Sequence, residues 1–143
     1  MRLSNTLTQI TGGGSDGWEL FIKARKMIAE GRDVTELTIG EHDIKTDTRI
    51  LEAMHGAALG GATGYAMVPG IDPLRRAVAE RLTHRTGVRT ALDNVLITAG
   101  GQAALFAAFR AALDAGDSAL YIDPYYATYP GTIRSVGGVP VAV

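Results

Sequence analysis

The chain contains no cysteine, which excludes disulfides and thiolate metal sites. Aromatic residues are scarce at 6%, with a single tryptophan, so no basic surface interleaved with base-stacking rings is present. Neither sign of charge is in excess: 14 Lys and Arg stand against 15 Asp and Glu, a formal net charge of −1. No overall field therefore draws the chain to nucleic acid or to an anionic membrane. No apolar run approaches the ~20 residues that span a bilayer. The N-terminal MRLSNTLTQITGGG lacks the basic region and continuous apolar core of a signal peptide, so a cytoplasmic enzyme is expected. No Gly-Lys-Ser/Thr follows a glycine loop, which removes a Walker A site, and the 3 histidines lack the spacing of a zinc helix. His55 and His84 read as helix-surface residues, and no metal site is expected.

What is present suits about one ordinary domain: 143 residues, 46% of them hydrophobic, enough to close a core. After a short polar arm, apolar spacing predicts a helix from about Asp16 to Glu30, with Trp18, Ile22 and Met27 or Ala29 inward and Gly31 ending it. Val34 to Ile39 alternates and reads as a strand. Thr46 or Asp47 caps a second helix whose inward positions are Ile50, Met54 and Ala57 or Ala58, up to Gly60-Gly61. A glycine-rich loop, GGATGYAMVPG, follows. Asp72 then caps a helix with Pro73 in its first turn, where the missing N–H costs nothing. Leu74, Val78 and Leu82 line one face of that helix, and Gly87 stops it. Arg75, Arg76, Arg81, Arg85 and Arg89 have acids nearby and read as a solvated face.

Beyond Gly87 the pattern changes. Val95 to Thr98 (strand), Gln102 to Leu113 (helix), Ala119 to Ile122 (strand), Tyr126 to Val136 (helix) and Val139 to Val143 (strand) form a βαβαβ series, hence an α/β fold with a parallel sheet. The closing strand GVPVAV has nothing after it to cover it, whereas parallel sheets need helices on both faces. The expectation is a truncated chain that folds poorly alone.

The series places Gly100-Gly101 at the carboxyl end of a parallel strand and at the start of a helix, the edge where α/β folds bind ligands. First-turn amides lack intrahelical partners and carry the positive end of the helix dipole. Gly101, Gln102 and Ala103 thus form a potential phosphate cup. A tight strand-to-helix turn with no ligand is the competing interpretation.

The motifs decide between them. LTIGEHD is similar to L-x-x-G-E-P-D, YAMVPGIDPLRRAVAERL to Y-x-x-x-x-G-x-x-x-L-R-x-A-I, and VLITAGGQAAL to V-x-V-T-x-G-x-x-x-A-L. LDAGDSALYIDPYYATYPGTIRSVGGVPV is similar to L-x-x-G-D-x-V-L-x-x-x-P-x-Y-x-x-Y followed by Gly-Gly and a strand. In this order and spacing they resemble the class I/II aminotransferases of pyridoxal-phosphate fold type I over residues 37 to 143. The resemblance implies the start of the fold type I large domain over 46–143, preceded over 1–45 by an N-terminal arm and part of the small domain.

It also implies the transfer of an amino group between an amino acid and a 2-oxo acid, with pyridoxal 5'-phosphate as cofactor. The roles come position by position. Gly101, Gln102 and Ala103 hold the cofactor phosphate, and Tyr126 stacks on its pyridine ring, with Tyr125 as competitor and Tyr129 packing against the large domain. Tyr65 donates its hydroxyl to the phosphate of a neighbouring subunit, implying a homodimer, and the Gly40 amide lies near the substrate α-carboxylate.

Departures from the family pattern are His42 for its proline, Ile44 for its phenylalanine, and Gln102 where many members carry Ser, Thr or Lys. His42 either reaches a substrate carboxylate or occupies a solvated turn. Lys23, Lys26 and Lys45 do not follow a strand of the sheet and read as solvated, so the Schiff-base lysine is not among them and no catalytic residue is assigned. The 143-residue chain is therefore expected to be an inactive fragment. Two alternatives are a nucleotide-binding Rossmann-type domain using Gly12, Gly14 and Gly17, and a non-catalytic structural module. The first is a weak match, because Leu7 to Thr11 alternates where a buried strand is needed and no acid follows at the required distance.

Overall fold

The structure, a computed structural model, describes residues 2–15 and 17–143. Its elements in chain order are helices α1 (Asn5–Thr8), α2 (Trp18–Ala29), α3 (Thr48–Leu59) and α4 (Asp72–Thr86), a 3-10 turn (Leu92–Asn94), α5 (Gly100–Ala112), strand β1 (Ser118–Tyr121), α6 (Tyr129–Ser135) and strand β2 (Val139–Ala142). Two compact units hold them: one runs up to Gly40 and resumes over Ala99–Val143, and the other is Glu41–Thr98.

In the first unit β1 and β2 pair in parallel, Ser118 opposite Val139 and Tyr121 opposite Ala142, joined by α6. The α/β class and the parallel sheet are as expected from the sequence. The core sits under α6, where Ile133 is fully buried and Val136 nearly so. Gly138 is required there: a Cβ would lie 2.9 Å from Ile133 Cγ2 and 3.1 Å from Leu113 Cδ1. The helix α5 begins at the glycines themselves, with Gly100 at φ +83° making the turn. Expected from Tyr126, α6 begins three residues later at Tyr129, with Pro130 in its first turn.

The N-terminal half of this unit differs from the sequence expectation in three ways. Asn5–Thr8 is helical, because the Ser4 hydroxyl accepts from the Leu7 amide at 3.2 Å and caps the turn. In α2 the start expected at Asp16 lies outside the described residues. Its inward face is Ala24 with half-buried Phe21 and Met27, while Ile22 is 64% exposed and Trp18 packs edge-on against Phe21 at 5.6 Å. Val34 to Ile39 is not a strand, since no ladder neighbour exists for it among the described residues. Glu36 there accepts from Arg25 and Thr38, both at 3.1 Å.

In the second unit Asp47 caps α3 as expected, accepting from the Arg49 amide at 2.9 Å and from its guanidinium at 3.0 and 2.8 Å. The side-chain bond, then the backbone bond, holds the Asp47 carboxyl below its usual range, and the same pairing raises the Arg49 guanidinium. The expected inward face of α3 is not buried within this unit, and Ile50 and Met54 are both exposed.

Helix α4 corrects the reading of one arginine, Arg75, and of part of its apolar face: Arg76, Arg81, Arg85 and Arg89 are exposed as expected, and Val78 is half-buried. Ile71 is the N-cap, Asp72 lies in the first turn, and Gly87 ends the helix at φ +72°. The buried residues are Arg75 and Ala79, with Leu74 and Leu82 exposed. Far from being solvated, Arg75 donates from Nε to Val95 O at 3.0 Å and from Nη2 to Leu92 O at 2.8 Å. The long apolar stem packs, and the fork meets two carbonyls, Val95 O and Leu92 O, the second of which also accepts from the Val95 amide at 3.1 Å.

Val95 to Thr98 is extended but not a strand, having no ladder among the described residues. A single backbone bond, Ile97 N to Pro69 O at 3.0 Å, ties it to the glycine-rich loop. Gly70 makes that approach possible: at φ +103°, its Cβ would lie 2.6 Å from Ile97 Cγ1.

Candidate functional site

The first turn of α5 supplies the donors of the site. Its N-cap, Ala99, offers no side-chain cap, and a Cβ on Gly101 would meet nothing within 4 Å. A 13-residue helix thus begins at the glycines, with the positive end of its dipole behind a residue that leaves the approach open. Gln102 and Ala103 also line a cleft of about 820 Å³ within the first unit, within the size range of small-molecule pockets.

Opposite them stands the N-terminal segment, with Ser15 and Trp18 on the cleft wall. That segment is tied down by Arg134, whose Nη1 donates to Ile10 O at 3.3 Å. Gly12 passes so close that a Cβ would lie 2.7 Å from the guanidinium carbon. Arg134 is the charged side chain among the described lining residues, and no carboxylate accompanies it there. Guanidinium and helix dipole therefore act in the same sense, toward an anion.

The Gln102 side chain points away from the first-turn amides. Its Oε1 accepts from Thr128 Oγ1 at 2.8 Å and its Nε2 donates to Thr132 Oγ1. Thr132, itself 5% exposed, donates onward to Thr128 O at 2.8 Å. Sequence reasoning missed Thr128 and Thr132. Their spacing of four on a helix was the available signal.

The two tyrosines after Pro124 part company. Tyr125 lines the cleft and packs edge-on against Tyr121 at 4.7 Å. Tyr126 does not line it: the ring is 62% exposed and sits 5.9 Å from Tyr129. Gly40 is exposed, with open space where a Cβ would lie. Tyr65, in the second unit, is fully exposed, and His42 is exposed. Of the six residues expected at the site, the cleft brings together Gln102 and Ala103, with Gly101 immediately before them.

Several other features bear on function. Gly12, Gly14 and Gly17 lack the preceding strand that a dinucleotide fingerprint requires, since Leu7 and Thr8 belong to α1. Among the described residues no helix is long and apolar enough to cross a membrane, and no group of three or more His, Asp or Glu could hold a metal ion. No lysine lies among the lining residues of the cleft.

Three comparisons with known proteins show what the chain is similar to. The family model described as aminotransferase class I and II matches residues 32–143. The aspartate/prephenate aminotransferase of Thermus thermophilus is 39% identical over 121 residues, which is 85% of this chain and 31% of that protein. An arginine–pyruvate transaminase of Pseudomonas aeruginosa is 33% identical across 100% of this chain and 37% of its own length. The solved aspartate aminotransferase from Thermus thermophilus with maleate superposes at a TM-score of 0.90 with 36% identity, covering 100% of this chain and 37% of that one. The chain thus spans about a third of the length of these relatives.

Proposed function

The chain belongs to the class I and II aminotransferases, and from that premise we propose that it carries the phosphate-binding part of a pyridoxal 5'-phosphate site in an enzyme that moves an amino group between an amino acid and a 2-oxo acid. The first turn of α5, opened by two glycines, carries this reading. Its donor set suits the group: backbone amides of Gly101, Gln102 and Ala103 at a positive helix end, a glycine where the anion approaches, and Arg134 as the charge on the adjoining cleft wall.

The remaining assignments rest on the motif positions. Tyr126 covers one face of the cofactor ring, the Gly40 amide receives the substrate α-carboxylate, and exposed Tyr65 reaches the phosphate of a second subunit in a homodimer. Pyridoxal phosphate, when bound, supplies the electron sink for bonds made labile at the amino-acid α-carbon. What these residues contribute is binding and orientation. The first turn of α5 fixes the phosphate, an aromatic face limits ring tilt, and glycine at position 40 leaves room for the carboxylate. By itself the 143-residue chain is proposed to be catalytically silent, because Lys23, Lys26 and Lys45 stand outside the cleft lining.

The test is calorimetric titration of this chain with pyridoxamine 5'-phosphate and with pyridoxamine. The phosphate ester is expected to bind at least about tenfold more tightly, as charge-assisted bonds from several amides would give. Equal affinities, or binding of a nicotinamide dinucleotide in place of the phosphate ester, would contradict the proposal.

A further inference from the structure

Gln102 occupies the middle of the proposed phosphate cup, yet its side chain contributes nothing to that cup. One end of the amide is engaged by Thr132 of α6 and the other by Thr128, the N-cap of that helix. The proton inventory fixes which end meets which partner. Thr132 commits its single hydroxyl proton to Thr128 O at 2.8 Å, so toward Gln102 it can only accept, and it receives Nε2. Thr128 then donates to Oε1 at 2.8 Å. No donor faces a donor and no acceptor faces an acceptor, so the ring of bonds is closed.

Burial makes this ring consequential. Thr132 is 5% exposed, and Ser135 Oγ donates to its carbonyl at 2.6 Å, locking the turn of α6 that carries it. Below it Ile133 is fully buried against the sheet entry. The α6 end of the tether is therefore rigid. The α5 end carries glycines at 100 and 101, with open space around Gly101. The side-chain hydrogen bonds of Gln102 run from this turn to Thr132 of α6 and to its N-cap, Thr128.

We propose that Thr132, together with Thr128, is a positioning residue for the cofactor phosphate: through the Gln102 side chain it aims the Gly101, Gln102 and Ala103 amides, while no part of either threonine touches the ligand. Gln102 is then a brace rather than a phosphate ligand. The inference rests on the phosphate-cup reading above and adds the element that holds the cup in shape. Amides fixed before the ligand arrives bind it without an ordering cost.

The experiment compares wild type, Thr132→Val and Thr132→Ser, each titrated with pyridoxamine 5'-phosphate and with pyridoxamine, and each recorded for the amide resonances of Gly101 to Ala103. Thr132→Val keeps the side-chain shape and removes both hydrogen bonds. It is expected to weaken the phosphate ester about fivefold to tenfold, the loss of one to two hydrogen bonds' worth of orientation. Pyridoxamine binding should not change, the three amide resonances should shift before any ligand is added, and Thr132→Ser should restore wild-type behaviour. Thr128→Val, which breaks the ring from its other side, should reproduce the phosphate-specific loss and serves if Thr132→Val does not fold. Unaltered phosphate-ester affinity in the valine variants, or equal weakening of both ligands, overturns the inference. If wild type itself shows no preference for the phosphate ester, the cup reading fails first and is recognised separately.

Discussion

Replacing Arg75 with methionine separates a structural arginine from the solvated row in which the sequence places it. Methionine retains most of the stem that packs in the second unit, so the change falls on the guanidinium. Two hydrogen bonds are lost, to Val95 O at 3.0 Å and Leu92 O at 2.8 Å, both from a charged donor. Such bonds contribute roughly 1.5–3 kcal/mol each; Leu92 O keeps its bond from the Val95 amide at 3.1 Å, whereas Val95 O loses the guanidinium donor. The ion pairs add little, because Asp72 at 3.4 Å and Asp93 at 3.8 Å have side chains 61% and 98% exposed. Removing a buried charge returns part of the loss as relief of desolvation. The net cost is expected at about 2–4 kcal/mol, a large part of the roughly 5–15 kcal/mol that holds a domain together. Urea unfolding of the chain followed by circular dichroism measures it, with Arg76→Met as the comparison, expected within about 0.5 kcal/mol of wild type. Equal midpoints for the two variants would refute the assignment of Arg75 as the tie between α4 and the segment after it.

Other outcomes follow from single contacts. Gly70→Ala should destabilise by about 1–3 kcal/mol, since it adds a left-handed strain to clashes of 2.6 and 2.7 Å with Ile97 Cγ1 and Cβ, and Ile97→Ala should relieve only the first of these, because its Cβ stays; thermal melts of the single and double variants read this. The Asp47 carboxyl is held below its ordinary range, so its cap is fully present above the unfolded-state value and is lost as pH falls through the lower folded-state value. Amide exchange at the start of α3 should therefore accelerate on acidification below about pH 4, and Asp47→Asn, which keeps an acceptor, should flatten that response. With added pyridoxal phosphate, an amino acid and a 2-oxo acid, the 143-residue chain should give no turnover above free cofactor, and borohydride trapping should show no preference among Lys23, Lys26 and Lys45. Turnover by the chain, or selective trapping at one lysine, would contradict that.

The positions most legible in the sequence are those set by local chemistry. Asp47 at a cap, Gly87 after a helix and Gly100 at the start of a helix each follow from a backbone requirement that few residues meet. The βαβ unit of β1, α6 and β2 was legible for the same reason, its periodicities being short and clear. What was not legible depends on partners distant in sequence. Val34 to Ile39 and Val95 to Thr98 have strand patterning, but a strand exists only with a ladder neighbour, and neither has one among the described residues. Arg75 reads as surface because charge implies solvent, whereas two carbonyls 17 and 20 residues further on reward its burial. At the candidate site, the glycines and the α5 start could be read directly. The Gln102 brace could not, because it joins positions 26 and 30 residues apart through side chains that carry no motif.

The central claim is that the first-turn amides of α5 receive a phosphate. Its most direct measurement is an amide-resolved nuclear magnetic resonance titration of the isotopically labelled chain with pyridoxamine 5'-phosphate. Saturable shifts centred on Gly101, Gln102 and Ala103, absent with pyridoxamine, are the result expected from a positive helix end fronted by glycine. Shifts centred instead on Gly12 to Gly17, or none that depend on the phosphate, would contradict it.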